Sequence, residues 1–235
     1  MPTEDQFDQI ASVAALADPV RRSLYTYVAE QEEPVGRDEA ATALDVPRHV
    51  AKFNLDRLEQ EGLLAAGYAR PAGRSGPGAG RPAKVYRRSA AEVSVSLPER
   101  HYELAGHVLA AGITMAQERH LPVRQAVSEA ARAAGQELGA AARAAVTDEG
   151  PTGPARTEVI VDVLRRSGYE PRLEGTLIRL GNCPFHRLSR EHTDLVCGMN
   201  LDLLTGVVEA AGATGVTARL DPVEGQCCVV MDLAT

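Results

Sequence analysis

Polar and apolar positions in the first 61 residues repeat with the period of an α-helix. The pattern predicts four helices, at residues 5–17, 19–30, 38–44 and 47–61. Asp18 is a typical N-cap and Pro19 a typical first helical residue. A short helix, a tight turn and a longer helix, in that order, indicate a helix-turn-helix over residues 38–61.

A basic, glycine- and proline-rich segment follows this helix-turn-helix. Two short strands, at about 64–70 and 83–88, flank the segment, which predicts a β-hairpin with a long tip. Such a hairpin is the wing of a winged helix-turn-helix, whose arginines reach the DNA backbone or minor groove. The alternative is a flexible linker, because glycine-rich tracts commonly are linkers. The return of the chain to a strand at Val85-Tyr86 favours the wing.

The helix predicted over 47–61 places apolar Ala51, Leu55 and Leu58 on one face, which would pack inward. Basic and polar side chains lie in its first turns, where a recognition helix meets base edges and phosphates. Together with basic residues of the wing, the candidate DNA contacts are Arg48, His49, Lys52, Asn54, Arg74, Arg81 and Lys84.

Two long helices are predicted in the middle of the chain, at about 98–117 and 123–146. Small residues in the second helix would allow another helix to approach closely. Winged-helix proteins commonly bind two half-sites as dimers, so we interpret residues 91–150 as a helical connector and dimer interface. A helical hairpin inside one domain explains either helix equally well.

The last third of the chain alternates helices and strands. Helices are predicted at 155–167, 186–197 and 200–213, and strands at 169–174, 176–181, 215–220 and 226–233. The expected fold class is therefore α+β. The predicted parts are a winged helix-turn-helix domain at 1–90, the helical connector at 91–150, and a small α+β sensor domain at 151–235.

All four cysteines of the chain lie in this last part. Cys183 follows a predicted strand, Cys197 lies near a predicted helix end, and Cys227 and Cys228 fall on the last predicted strand. Because successive strand residues face opposite sides, Cys227 and Cys228 are not both expected in one tight site without a bulge.

Three thiolates and one further donor would suit an iron–sulfur cluster or a tetrahedral zinc ion. Candidates for the fourth donor are the remaining cysteine, His186, His192 or a group from outside the chain. The spacing contains no Cys-x₂-Cys pair, so four buried core cysteines remain an alternative.

Charge and composition indicate where the protein acts and which state its thiols have. The net charge is −7, yet residues 65–90 carry six Arg and Lys and no Asp or Glu, which leaves DNA binding open. The polar N-terminus does not resemble a secretory signal, and no apolar run reaches the ~20 residues of a membrane span. We expect a cytoplasmic protein without a membrane partner, in which free thiols or metal ligands are favoured over disulfides.

Several motifs resemble known regulators. Ala-Asp-Pro-Val-Arg-Arg, Leu-Asp-Arg-Leu-Glu-Gln-Glu-Gly-Leu-Leu and Gly-Arg-Pro-Ala-Lys-Val-Tyr are similar to winged-helix regulators of the ArsR/DeoR type. With Asn-Cys-Pro-Phe-His, Leu-Val-Cys-Gly-Met-Asn and Gly-Gln-Cys-Cys-Val, nearly the whole chain resembles the actinobacterial branch of the SufR-like regulators, which are iron–sulfur-sensing repressors of cluster-assembly genes.

The resemblance implies that Cys183, Cys197 and Cys227 ligate the cluster, with Cys228 as a further candidate. The spacing between Cys197 and Cys227 is longer than in cyanobacterial members, which leaves the fourth ligand open. Asn54 stands where relatives often carry histidine.

These patterns predict a homodimeric transcriptional repressor that binds a double-stranded DNA operator and is not an enzyme. An iron–sulfur cluster, [4Fe-4S] or [2Fe-2S], would sense iron or redox status. The alternatives are a zinc-binding regulator and a metal-free thiol-redox regulator. A cysteine-dependent enzyme using Cys183 and His186 would need a third, orienting residue that the sequence does not place.

Overall fold

The computed structural model describes residues 4–69, 82–145 and 154–234. The chain forms two compact units, Met1–Val95 and Ser96–Thr235. The helices predicted at 98–117 and 123–146 fall within the second unit, and the finer division into three parts stays a prediction. Within the described residues, no helix is both long and apolar enough to cross a lipid bilayer.

The first unit combines helices with a small antiparallel sheet. Its helices are α1 (Glu4–Ala15), α2 (Pro19–Glu30), α3 (Arg37–Ala43) and α4 (Arg48–Gln60). Its strands are β1 (Val35–Gly36), β2 (Leu64–Ala69) and β3 (Ala83–Arg88), in the order β1-β3-β2. The predicted helices and the β2–β3 pair agree with these bounds, and the two-residue strand β1 was not predicted.

Local signals in the sequence explain the ends of these helices. The Asp18 carboxylate accepts a hydrogen bond from the Arg21 N–H, 2.9 Å away, and so caps α2. Asp45 takes a left-handed conformation (φ 50°) after α3, and the Val46 N–H donates to the Ala41 carbonyl, which closes the turn before α4. Gly62 (φ 73°) ends α4 in the same way.

The second unit is also α+β. It contains α5 (Tyr102–Arg119), α6 (Val123–Ala145), α7 (Pro154–Arg166), α8 (His186–Glu191) and α9 (Thr193–Ala211). Its strands are β4 (Pro171–Glu174), β5 (Leu177–Leu180), β6 (Val216–Leu220) and β7 (Val229–Leu233), arranged antiparallel in the order β4-β5-β7-β6. The predicted α+β class is confirmed.

Three predicted boundaries were wrong. The helix predicted from residue 98 begins at Tyr102. The break predicted near residue 198 lies instead at His192, whose backbone is non-helical (φ −131°, ψ 52°), and α9 runs through Gly198 without interruption. The strand predicted from residue 226 begins at Val229. The second and third corrections move cysteines relative to the elements that carry them.

Glycines bring α6 and α9 into backbone contact. A Cβ atom added at Gly135 would lie 1.9 Å from the Leu203 carbonyl oxygen, and one added at Gly206 would lie 2.1 Å from the Arg132 carbonyl oxygen. The small residues of α6, which suggested a dimer surface, therefore pack at least in part inside one unit. Their partner is α9 and not α5, so this contact is not that of the predicted hairpin, and the dimer interface stays a prediction.

Candidate functional site

Three separated segments of the second unit carry the four cysteines. Cys183 lies in the loop between β5 and α8, and Cys197 is the fifth residue of α9. Cys227 and Cys228 lie in the loop between β6 and β7. The Cys227 N–H donates to the carbonyl of Leu180 at the end of β5, 2.9 Å away, which holds this loop beside the segment that leads to Cys183.

The predicted placement of Cys227 and Cys228 on the last strand was wrong. They precede β7 instead of lying on it, so the alternation of a strand does not direct their side chains to opposite faces. Cys197, predicted near a helix end, lies inside α9 with Val196 and Met199 buried beside it.

The four thiols interact as two pairs. Cys183 hydrogen-bonds with Cys227, and Cys197 hydrogen-bonds with Cys228. Electrostatic interactions also join Cys183 to Cys197 and Cys227 to Cys228. All four are free, three are buried, and Cys228 is half-buried.

The pairs are not closed into a coordination shell. Among the described residues, no group of three or more His, Cys, Asp or Glu side chains is arranged to hold a metal ion. The side-chain arrangement of the described residues therefore contains thiol pairs but no preformed set of three ligands. A metal would have to draw them together.

The pairing shifts the pKa values of the thiols in opposite directions. The hydrogen bond from Cys227 lowers the pKa of Cys183 to about 7, against the opposing effect of burial, and the positive charge of Arg100 helps. The same bond, followed by burial, raises the pKa of Cys227 far above its usual range. Burial, followed by the contact with Cys228, raises the pKa of Cys197 to about 12. Near neutral pH, Cys183 therefore becomes a thiolate more readily than Cys197 or Cys227.

A buried polar network fixes the backbone at Cys183. The Arg100 guanidinium donates to the Asn182 side-chain oxygen and to the Cys183 carbonyl oxygen, the latter at 3.0 Å. The Asn182 amide donates to the carbonyl oxygens of Glu99 (2.9 Å) and Gly168 (2.6 Å). Sequence reasoning missed Arg100 and Asn182 as parts of the site. Asn182 stands in the Asn-Cys-Pro motif, whereas Arg100 is 83 positions from Cys183 and carries no local signal.

A second missed pair lies beside Cys227. The Asn200 amide nitrogen donates to the Cys227 sulfur, 3.3 Å away, and the Tyr169 hydroxyl donates to the Asn200 side-chain oxygen. Burial raises the pKa of Tyr169 well above its ordinary value, and negative charge on Cys227 and Cys183 acts in the same direction. Tyr169 therefore keeps its proton and remains a donor.

The two candidate histidines do not join the thiols. His186 and His192 are exposed, at the start of α8 and directly after its end. Neither side chain belongs to a metal-binding group among the described residues.

The exposed side of α4 carries three of the predicted DNA contacts. The side chains of Arg48, His49 and Lys52 are exposed in its first turns, and the exposed Phe53 follows them. Arg48 forms an ion pair with Asp38 but remains 77% exposed, so it is accessible to a phosphate. A shallow groove on the same side is lined by His49, Lys52, Phe53, Asp56, Arg57 and Gln60.

Asn54 and Lys84, two other predicted DNA contacts, are bonded within the first unit. Asn54 is 7% exposed and its amide donates to the Val50 carbonyl oxygen, 3.0 Å away, because position 54 lies on the buried face of α4. Lys84 is not a free cation, since its ammonium group forms ion pairs with Asp56 and Glu59. Arg74 and Arg81 lie outside the described residues.

Asp56 is the centre of a charged network that joins α3, α4 and β3. Its carboxylate accepts hydrogen bonds from Arg37 (2.8 and 3.1 Å), Lys84 (2.8 Å) and the Tyr86 hydroxyl (2.6 Å). Burial alone would raise the pKa of Asp56, but these donors outweigh it and lower the pKa to about 2. The network fixes the position of the β3 strand relative to α4.

No family model, curated protein or solved structure matches this chain.

Proposed function

We propose that this chain is a DNA-binding transcriptional regulator whose C-terminal thiols hold an iron–sulfur cluster that senses iron or redox status. The first unit supports the DNA-binding half of the proposal. Helix α3, a closed turn, helix α4 and the antiparallel β2–β3 pair follow one another in the order of a winged helix-turn-helix. The proposed recognition surface is the exposed side of α4 at Arg48, His49 and Lys52.

The observation that carries the sensing half is the interaction of four free thiols from three separate segments. Soft sulfur donors suit iron–sulfur clusters and zinc, and thiolates are the ligating form. Cys183, Cys197, Cys227 and Cys228 would hold the group. A bound cluster would supply one-electron redox chemistry and sensitivity to iron supply or oxidants.

Coupling to DNA needs a change in the relative stability of two conformations. A metal group that draws the two thiol pairs together would pull on α9 and on the loops at Cys183 and Cys227. A difference of about 1.4 kcal/mol between DNA-binding and non-binding forms changes affinity tenfold. The proposed regulator acts as a homodimer, because two recognition helices read two half-sites.

Metal analysis of protein purified without oxygen tests the sensing half. We expect iron and acid-labile sulfide in the full chain, and their loss in Cys183→Ser, with circular dichroism confirming that the variant is folded. One zinc ion per chain, without iron or sulfide, would contradict the cluster and support the zinc-binding alternative. Neither metal in the unmodified chain would contradict both.

DNA binding is tested separately. Duplexes of about 30 base pairs, selected from a random pool on immobilised full-length protein, provide the probe. We expect Lys52→Ala to weaken binding and to reduce the salt slope by about one, as for one lost phosphate contact. Arg166→Ala is the matched control, since Arg166 is an exposed arginine of the second unit. An equal effect of both variants would contradict a recognition surface on α4.

The Cys183–Cys227 pair favours a metal-free thiol switch as the second candidate. One thiol of this hydrogen-bonded pair has a pKa near 7, which suits attack on peroxide. Oxidation would join the two sulfurs in a disulfide and reduce hydrogen peroxide to two water molecules. This candidate predicts a colourless protein whose DNA affinity changes with peroxide and is restored by dithiothreitol.

A further inference from the structure

The core of the second unit contains a polar pair that its packing does not require. Tyr169 and Asn200 are each 2% exposed, and Tyr169 belongs to the main hydrophobic cluster of this unit. Burying a hydroxyl or an amide costs roughly 1–3 kcal/mol unless it is hydrogen-bonded. Phenylalanine and leucine would occupy similar volumes without that cost.

The hydrogen bonds of this pair lead to a sulfur atom. The Tyr169 hydroxyl donates to the side-chain oxygen of Asn200, which leaves the amide N–H groups of Asn200 as donors. The Asn200 nitrogen donates to the Cys227 sulfur at 3.3 Å. Asn200 is also three residues after Cys197 on α9, so one turn of helix supplies both a thiol and a donor to another thiol.

Such a donor changes the electronic character of a sulfur ligand. An N–H group that donates to a thiolate withdraws electron density from the sulfur. Hydrogen bonds of this kind are among the features that set the reduction potential of iron–sulfur centres and the properties of other metal–thiolate sites.

We propose that Asn200 is a positioning residue that orients the Cys227 sulfur and lowers its electron density, and that Tyr169 holds the Asn200 amide in the donating orientation. This inference rests on the proposed thiolate metal site, but not on the identity of the metal. In this inference, Tyr169 and Asn200 do not bind the metal group but change its electronic properties through the Cys227 sulfur.

Cobalt provides a probe that does not depend on iron. Metal-free full-length protein is loaded with Co²⁺, and the sulfur-to-cobalt charge-transfer band is recorded. We expect Asn200→Leu to move this band to longer wavelength, because a sulfur that loses the N–H donor gives up electrons more easily. Tyr169→Phe should move it in the same direction by less, since the amide remains but is no longer oriented.

The reduction potential of the iron-loaded protein is the second readout. We expect a more negative potential for Asn200→Leu, and a smaller shift with the same sign for Tyr169→Phe. Thr205→Val is the matched control on α9, because it removes a hydrogen bond to the Leu201 carbonyl oxygen that does not involve sulfur. It should leave both readouts unchanged.

The outcomes separate this inference from the proposed function. An unshifted band in folded Asn200→Leu that holds as much Co²⁺ as the unmodified chain would overturn the inference and leave the metal site intact. If Asn200→Leu does not fold, an unshifted band in Tyr169→Phe overturns it in the same way. If the unmodified chain itself shows no sulfur-to-cobalt band, the proposed metal site fails and the inference fails with it.

Discussion

The two units of this protein differ in the partners that their polar side chains have. In the first unit, the Asp56 carboxylate meets two cations and a hydroxyl, so charge is paired with charge. In the second unit, Cys183 and Cys227 lie in an apolar cluster, each thiol is paired with another thiol, and Asn200 is a neutral donor to Cys227. The charged network already has strong partners, whereas thiols form weak hydrogen bonds and retain their capacity to bind a soft metal.

We therefore interpret the Asp56 network as a structural contact between β3 and α4, and the four thiols as a candidate metal-binding site. Removing one member of the Asp56 network should loosen the attachment of β3 to α4 without affecting the thiols. Conversely, replacing a thiol should abolish metal binding and leave the network of the first unit unchanged. The two units also differ in how their helices pack, because glycines let helix backbones of the second unit approach closely, Gly135 and Gly206 between α6 and α9 and Gly112 between α5 and α6.

The largest effect is expected from Gly135→Ala. The added Cβ would lie 1.9 Å from the Leu203 carbonyl oxygen, which is backbone and cannot rotate away, so α6 and α9 must separate. We expect a loss of about 3 kcal/mol or more in the stability of the second unit, measured by urea unfolding, together with weaker metal binding.

Gly106→Ala is the control for that substitution. Gly106 is an exposed position inside α5, and a Cβ there would meet no atom within 4 Å. This variant should be stabilised by up to about 1 kcal/mol through helix propensity. Similar behaviour of the two variants would show that α6 and α9 do not pack through Gly135.

A smaller effect, confined to the first unit, is expected from Asp56→Asn. The change removes the counter-charge of Arg37 and Lys84, whose side chains are 26% and 18% exposed. Because the carboxylate is partly exposed, we expect a loss of about 2 kcal/mol, less than for a fully buried pair. Hydrogen exchange of the β3 amides measures it.

Asp38→Asn serves as the comparison for Asp56→Asn. Asp38 pairs with Arg48 on the surface, where both side chains are largely exposed, so its removal should cost less than about 0.5 kcal/mol. Metal content should be unchanged in both variants. A loss of metal in Asp56→Asn would contradict a purely structural role of the Asp56 network.

The same carboxylate predicts how the first unit responds to acid. The pKa of Asp56 is lowered from 3.8 to about 2, so its contribution is complete above pH 4 and is lost as the pH falls through 2. After allowance for solvent screening, we expect about 1 kcal/mol to disappear over this range. The difference in β3 exchange between the unmodified chain and Asp56→Asn should shrink accordingly. A constant difference down to pH 2 would contradict the lowered pKa.

Sequence reasoning succeeded where the deciding signals are local. Asp18-Pro19 and Gly62 mark helix ends through contacts with residues a few positions away, and the bounds of α2 and α4 followed from them. It failed where partners are distant. Asn200 meets Tyr169 across 31 positions and Arg100 meets Asn182 across 82, and neither pairing has a periodic pattern.

The cysteines show both outcomes. Their gathering into one part of the chain was visible in the sequence, and the structure brings the thiols into contact. Their local setting was predicted wrongly, because separate helices were expected at 186–197 and 200–213, whereas α9 runs from Thr193 to Ala211 with a largely buried face. The exposed position expected for Asn54 was also wrong. The helix period places residue 54 on the same face as Ala51 and Leu55, and its amide donates to the Val50 carbonyl oxygen.

The smallest effect on stability, and the sharpest test of the surface of α4, is expected from Arg48→Ala. Arg48 is 77% exposed and pairs with the exposed Asp38, so its loss should change the free energy of unfolding by less than about 0.5 kcal/mol. If α4 enters the major groove, the same change should weaken duplex binding and lower the salt slope by about one. Arg166→Ala, which removes an exposed arginine paired with Asp162, should be silent in both measurements. Unchanged DNA binding in Arg48→Ala, with Lys52→Ala also silent, would leave the first unit a folded module whose exposed helix does not read DNA.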